Sequence, residues 1–284
     1  MADISAADVK RLRDKTGAGM MDCKKALVEA EGDFEKAEKQ LKEKGLAALQ
    51  KRSGNAADEG KVFVKTKGEV AALVELSCET DFVSRNPDFI DLGEAMAELA
   101  IDKNFTEPND ELRGMVNDLA TKIREKMDIK RLKLVKAGAD EYFTQYIHGD
   151  GTIGVVVKCK AGKPEVFKTE EVQAFVFSLA LHIAAFNPLA LERASVDQSW
   201  LKEQEGILRA QMELDEELMK KPPNVLEGIF KGKVNKFLSD ICLLEQRYVK
   251  DEKLTVKQAI EDCAKKADAG TLEISEFVYY KAGS

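Results

Sequence analysis

The sequence predicts an α+β chain on three observations. Short amphipathic segments crowd the first 45 residues, strand-like runs then come in pairs closed by glycine turns, and each pair is followed by a helical stretch. Strands in runs with helices packed to one side mark a segregated sheet-and-helix architecture.

The first elements read as three short helices. Ser5 caps the first, with Asp8 three positions on and Ile4, Val9 and Leu12 as its apolar stripe. Thr16-Gly17-Ala18-Gly19 breaks it. Met20, Cys23, Ala26 and Leu27 repeat at helical spacing until Gly32. Asp33 caps a third helix with stripe Phe34, Ala37 and Leu41, ended by Gly45. So small a bundle has few core residues and suits a docking module better than an enzyme. A helical tail and a loop at Ser53-Gly54-Asn55 follow, so residues 1–54 form the first expected domain.

Two similar blocks come next. Val62 and Val64 alternate, Lys67-Gly68 turns the chain, and 70–76 is an apolar run, which together make a hairpin. Asn86-Pro87 opens a helix whose stripe is Phe89, Leu92, Met96 and Leu99, and a further helix is expected over 110–127. The order then recurs: a strand over 142–147, the turn Gly149-Asp150-Gly151, a strand over 153–159 and a helix over 170–185. Val70-Ala71-Ala72-Leu73-Val74 lies over Ile153-Gly154-Val155-Val156-Val157 at an offset of 83. The expectation is two related antiparallel hairpin-plus-helix subdomains, 55–140 and 141–187 with 242–284.

Between the parts of the second subdomain lies an insertion, 188–241. Apolar positions Val196, Leu201, Ile207, Met212 and Leu218 are cut by Pro222-Pro223 and resume at Leu226, Ile229, Phe230, Val234 and Leu238. Two helices joined at a Pro-Pro turn make a projecting hairpin, which suits an association role. A helix over 255–267 and a strand over 272–281 complete the chain.

Charge and cysteines narrow the function classes. The net charge is −7, and residues 54–127 carry nine basic against 16 acidic groups. No block has the basic stripe that phosphate backbones require, so direct nucleic-acid binding is not expected. Five widely spaced cysteines without a Cys-x-x-Cys pair argue against disulfides or a zinc ribbon. Residues 1–13 lack the apolar core of a leader, and no run of 18 apolar residues occurs, so no membrane span is expected. A reduced, soluble, cytoplasmic protein is the expectation.

Enzyme signatures are scarce. The two histidines, His148 and His182, are 34 residues apart and make no zinc motif. Gly228-Ile229-Phe230-Lys231-Gly232-Lys233-Val234 has three residues between its glycines where a phosphate loop has four, and reads as helix surface. No catalytic residue, metal ligand or cofactor is assigned. His148, beside Asp150, reads as a strand-end residue at a hairpin tip, a contact point rather than a general base. His182 reads as a core or interface histidine. Met20 and Met21 point about 100° apart on a helix, so one can face inward while the other stays available to a partner.

Thr80-Asp81-Phe82-Val83 is the most informative local feature: a loop between a buried strand and the helix opened by Pro87. Either Phe82 folds back onto its own core, or it is an aromatic wedge with an attached carboxylate for insertion into another protein. Local pattern does not decide between them.

Thr16-Gly17-Ala18-Gly19-Met20-Met21-Asp22-Cys23-Lys24-Lys25-Ala26-Leu27 resembles the N-terminal signature of the elongation factor Ts family. Thr80-Asp81-Phe82-Val83 is similar to its second signature, and Tyr146-Ile147-His148-Gly149 and His182-Ile183-Ala184-Ala185 sit where corresponding family segments would. The resemblance spans nearly the whole chain.

It implies a guanine-nucleotide exchange factor that binds elongation factor Tu in its GDP form and regenerates the GTP form. It implies a ubiquitin-associated-like bundle that docks on the GTPase, with Asp81 and Phe82 pushed in near the magnesium site and His148 meeting the partner elsewhere. In some members the helical hairpin is a coiled-coil dimerisation element, which makes a homodimer an expectation to test. The implied site is therefore Thr80, Asp81, Phe82, Val83, Met20, Met21 and His148. The chain ends four residues after Tyr280, so the C-terminal helical module of many bacterial members is not expected. The competing expectation is a translation-linked adaptor or RNA-associated factor without exchange activity.

Overall fold

The structure, a computed structural model, describes residues 4–284; residues 1–3, where the stretch read for a leader begins, lie outside them. Contacts divide the chain into two compact units: Met1–Lys136 with Ile147–Gly154 and Tyr280–Ser284, and Ala137–Tyr146 with Val155–Tyr279. The first groups the N-terminal helices with the first sheet and takes in the tip of the second hairpin.

Unit one begins with α1 (Ala6–Thr16), α2 (Met20–Glu29) and α3 (Phe34–Lys51). Ser5 caps α1 by accepting the Asp8 N–H at 3.1 Å, and Asp33 caps α3 by accepting the Lys36 N–H. Leu12, Cys23, Ala26, Leu27 and Ala37 are fully buried among them. Helix α3 does not end at Gly45 but runs two turns further. A Cβ at Gly45 would stand 2.2 Å from Cγ2 of Thr121, so the glycine marks a close helix approach rather than a stop.

Strands β1 (Glu59–Lys67) and β2 (Val70–Cys78) pair antiparallel, and α4 (Asp81–Ser84), α5 (Pro87–Lys103) and α6 (Asp110–Ile123) follow. The stretch 124–126 is not helical, and a third strand that the pattern did not reveal, β3 (Met127–Lys136), pairs with β2 in the order β1-β2-β3. Phe63, Val74, Leu76, Phe89, Met96 and Leu112 centre the core between this sheet and α5 and α6. Helix α5 lies close to β1 because position 93 is glycine; a Cβ there would meet the Phe63 ring at 2.2 Å.

Unit two holds most of the sheet β4-β5-β8, built from β4 (Glu141–His148), β5 (Ile153–Ala161) and, from the end of the chain, β8 (Leu272–Lys281). Helix α7 (Glu170–Phe186) buries Val172, Val176, Leu179 and Ile183. Then come α8 (Gln198–Glu213), α9 (Glu216–Met219) and α10 (Pro223–Ile241). The joint of the hairpin is not a bare Pro-Pro turn: it includes α9, and Pro222 and Pro223 open α10. Ala190, Val196, Leu238 and Cys242 form a small core at its base, and Trp200 lies 5.9 Å from Phe237. A short ladder, β6 (Arg247–Tyr248) with β7 (Asp251–Thr255), also escaped the sequence reading; α11 (Val256–Lys266) follows with a Thr255/Gln258 capping box.

Candidate functional site

The stretch after β2 is a helical turn rather than a loop. Thr80 serves as N-cap position of α4, but its hydroxyl donates to Glu125, at 3.0 Å from Oε2. The Cys78 thiol donates to the Thr80 carbonyl at 3.2 Å, and the Ser84 hydroxyl to the Asp81 carbonyl at 3.0 Å. Val83 is buried in the core beneath the sheet. With Val83 held inward, the next-door side chain must point away, and Phe82 is 82% exposed. Phe82 does not fold back onto its own core.

The turn is pinned by charge as well. Asp81 pairs with Arg85 one turn on, at 3.2 Å. Glu79 accepts the Lys126 backbone N–H at 2.7 Å and the Asn55 amide at 2.8 Å, with Arg52 at 3.3 Å. These donors, the Lys126 N–H foremost, hold its carboxyl below the usual carboxylate range. An apolar side chain held out on a rigid turn loses little conformational entropy when a partner covers it.

Helix α2 adds a second apolar surface. Met20 is 44% and Met21 75% exposed, with Val28 exposed two turns along. Neither methionine is the inward member of a pair: the buried positions are Cys23, Ala26 and Leu27, and Gly19 delivers the chain with both Met side chains outside that face. The C-terminal end of α6 ties the two surfaces together. Arg124 pairs with Asp22 of α2 at 3.1 Å, and its neighbour Glu125 takes the Thr80 hydroxyl.

His148 closes β4 and is exposed, next to Ile147, also exposed. The hairpin turns through Asp150 and Gly151, both at positive φ (56° and 90°), with the Thr152 N–H donating to the Gly149 carbonyl at 3.2 Å. Gly149 before them is left-handed too (φ 57°), so three successive positive-φ residues, two of them glycine, close the four-residue connection between β4 and β5. Asp150 turns to Lys61 of β1, 2.6 Å away, and this bond with the Lys61 charge holds its carboxyl low, with a smaller contribution from Arg85, the residue after α4.

The reactive side chains elsewhere are muted. All five cysteines are buried and free, and burial pushes the thiol of Cys78 up to about 12 and that of Cys263 to about 11. No group of three or more His, Cys, Asp or Glu side chains suited to a metal occurs among the described residues. The glycine-lysine stretch 228–234 lies within α10, with open space around Gly228 and Gly232. His182 is fully buried, accepting the Val249 N–H at Nδ1 (3.2 Å) and meeting Gln246 Oε1 through Nε2 (2.9 Å).

Sequence reasoning missed the residues that hold the site: Lys61, Glu79, Arg85 and Glu125. Each looks like an ordinary surface charge, and its partner lies up to 89 positions away. Only Arg85, four residues after Asp81 in a stretch able to form a helical turn, left a local signal.

A chain with an exposed aromatic on a pinned turn, two exposed methionines on a small helix and buried, unreactive thiols has the make-up of a protein-contact surface. A family model for elongation factor Ts matches residues 79–284. The chain is 50% identical over 282 residues to elongation factor Ts of Treponema denticola, covering 99% of each chain. It is 41% identical to elongation factor Ts of Treponema pallidum, covering 99% of each, and 40% identical to that of Borreliella burgdorferi over the full length of both. The chain belongs to the elongation factor Ts family. Among the described residues no helix is long and apolar enough to cross a membrane.

Proposed function

We propose that this chain is the guanine-nucleotide exchange factor of elongation factor Tu, and that it acts in the cytoplasm without covalent chemistry of its own. It binds the GDP form of the GTPase, inserts the Asp81–Phe82 turn beside the magnesium site, and so displaces magnesium and GDP. The observation that carries this reading is Phe82, 82% exposed on a turn anchored by buried Val83, in a member of this family.

Magnesium requires near-ideal octahedral geometry at short range, so a small displacement of its surroundings weakens it sharply. A rigid aromatic driven between elements of the GTPase supplies such a displacement, and a few buried anchors carry most of the energy of a protein interface. Met20 and Met21 supply a second, adaptable contact, since methionine fits irregular surfaces. His148 supplies a third at the hairpin tip. The α8–α10 hairpin serves as the dimerisation element, and no nucleic acid is bound directly.

The test is GDP release from elongation factor Tu, followed with a fluorescent GDP analogue. The wild-type chain should accelerate it and Phe82→Ala should not, with unchanged circular dichroism. Wild-type acceleration by a folded Phe82→Ala variant would remove the wedge assignment.

A further inference from the structure

The tip of the β4–β5 hairpin is held to β1 by a contact that the exchange reading does not use. Lys61 is only 7% exposed, although lysines are rarely so buried, and its ammonium sits 2.6 Å from Asp150 Oδ2. The Asp150 side chain is 89% exposed, so the pair joins a buried cation on a sheet to a carboxylate at the very end of a turn. Two backbone bonds accompany it: the Val62 N–H donates to the Gly151 carbonyl at 2.7 Å, and the Ala282 N–H to the Thr152 carbonyl at 2.9 Å. Gly151 lies directly on Lys61, whose Cβ and Cδ would stand 3.3 Å from an added Cβ.

Burying the Lys61 stem places its charge where few orientations are open, unlike a freely swinging surface lysine. The carboxylate that meets it must sit at a defined point, and Asp150 is two residues from His148 on the same turn. We infer that Lys61 is a positioning residue: through Asp150 it latches the hairpin tip to β1 and sets the orientation in which His148 is presented. The latch's consequence for exchange rests on the reading given above; its effect on His148 does not.

Two measurements on the full chain test this, with Lys61→Met, Asp150→Asn, the double variant and Asp150→Glu. The first is the ring proton–carbon NMR spectrum, simplified because the chain has two histidines. Both single variants should shift the His148 signals alike and leave those of buried His182 in place, while Asp150→Glu stays near wild type. The second is GDP release against factor concentration. Each single variant should raise the half-saturating concentration about three- to tenfold, leave the maximal rate within about twofold, and the double variant should be no worse than either single one.

Unmoved His148 signals in both variants would overturn the latch, because the backbone bonds would then suffice. Additive kinetic losses would overturn it too, since Asp150 would be touching the partner directly. Should Lys61→Met fail to fold, Asp150→Asn, at an exposed position, still decides through the His148 signals. A wild-type chain that does not accelerate release sinks the exchange reading alone and leaves the NMR test standing.

Discussion

Phe82 and Val83 are neighbours with opposite roles, and a pair of alanine substitutions separates them. Phe82→Ala removes an exposed ring, so stability should change by less than about 0.5 kcal/mol while exchange is lost. Val83→Ala opens a space in the core beneath the sheet and should cost about 1–2 kcal/mol in urea unfolding. The reverse pattern, a stability loss at 82 and none at 83, would mean that the turn is inverted. At this scale the sequence singled out the segment but left the direction of its side chains open. An aromatic next to a valine is compatible with either facing inward, and what decides is that Val83 joins the buried core between the first sheet and its helices. Met20 illustrates the same limit, since its helical spacing from Cys23 suggested burial and it is instead exposed.

Elements formed where periodicity was regular and escaped notice where it was broken. Strand β3 is the clearest case. Its buried residues are Met127 and Ile129, then Leu132, Leu134 and Val135, so the alternation changes phase midway. The cause is a bulge: Leu76 faces Ile129 while Glu75 faces Arg131, leaving Lys130 unpaired. Glu75, fully buried on β2, pairs with Arg131 across that register. The close seat of α5 on β1 gives an element-scale prediction. Gly93→Ala must displace the Phe63 ring and should destabilise unit one by about 1–3 kcal/mol, read as a lower urea midpoint.

Helix α7 gives another. Burial pushes the His182 pKa down from 6.5, against a smaller opposing effect of its bond to Gln246. Because Nδ1 accepts the Val249 N–H, the neutral ring is the form that fits. The unfolded chain therefore takes up a proton before the folded one does. Stability from this group is complete above about pH 6.5 and is lost as pH falls from there through the depressed folded value. Wild type should lose more stability than His182→Gln between about pH 7.5 and about pH 5.5. Equal losses in both would show that His182 does not report on folding.

For the whole molecule the governing relation is linkage. If the chain weakens GDP binding to elongation factor Tu, GDP must weaken the chain's binding by the same factor. A thousandfold coupling corresponds to about 4 kcal/mol, within reach of a few buried anchors. A mixed gel-filtration run should give a stable complex that excess GDP dissociates; a complex indifferent to GDP would contradict exchange. Affinity for the GTPase should also fall only modestly with added salt. Steep salt dependence on RNA would instead favour an RNA-associated factor, against a net charge of −7.

The sequence by itself determined the α+β character, the three N-terminal helices, the strand over Leu272–Lys281 and the family, because helix caps, glycine turns and contiguous motifs act over a few residues. Only the tertiary structure decided that Phe82 is presented rather than buried, that α3 passes through Gly45, and that Lys61 meets Asp150. Those outcomes depend on which surfaces come together across separations of tens of residues. Packing there is a property of the assembled core, and a local pattern holds no record of it.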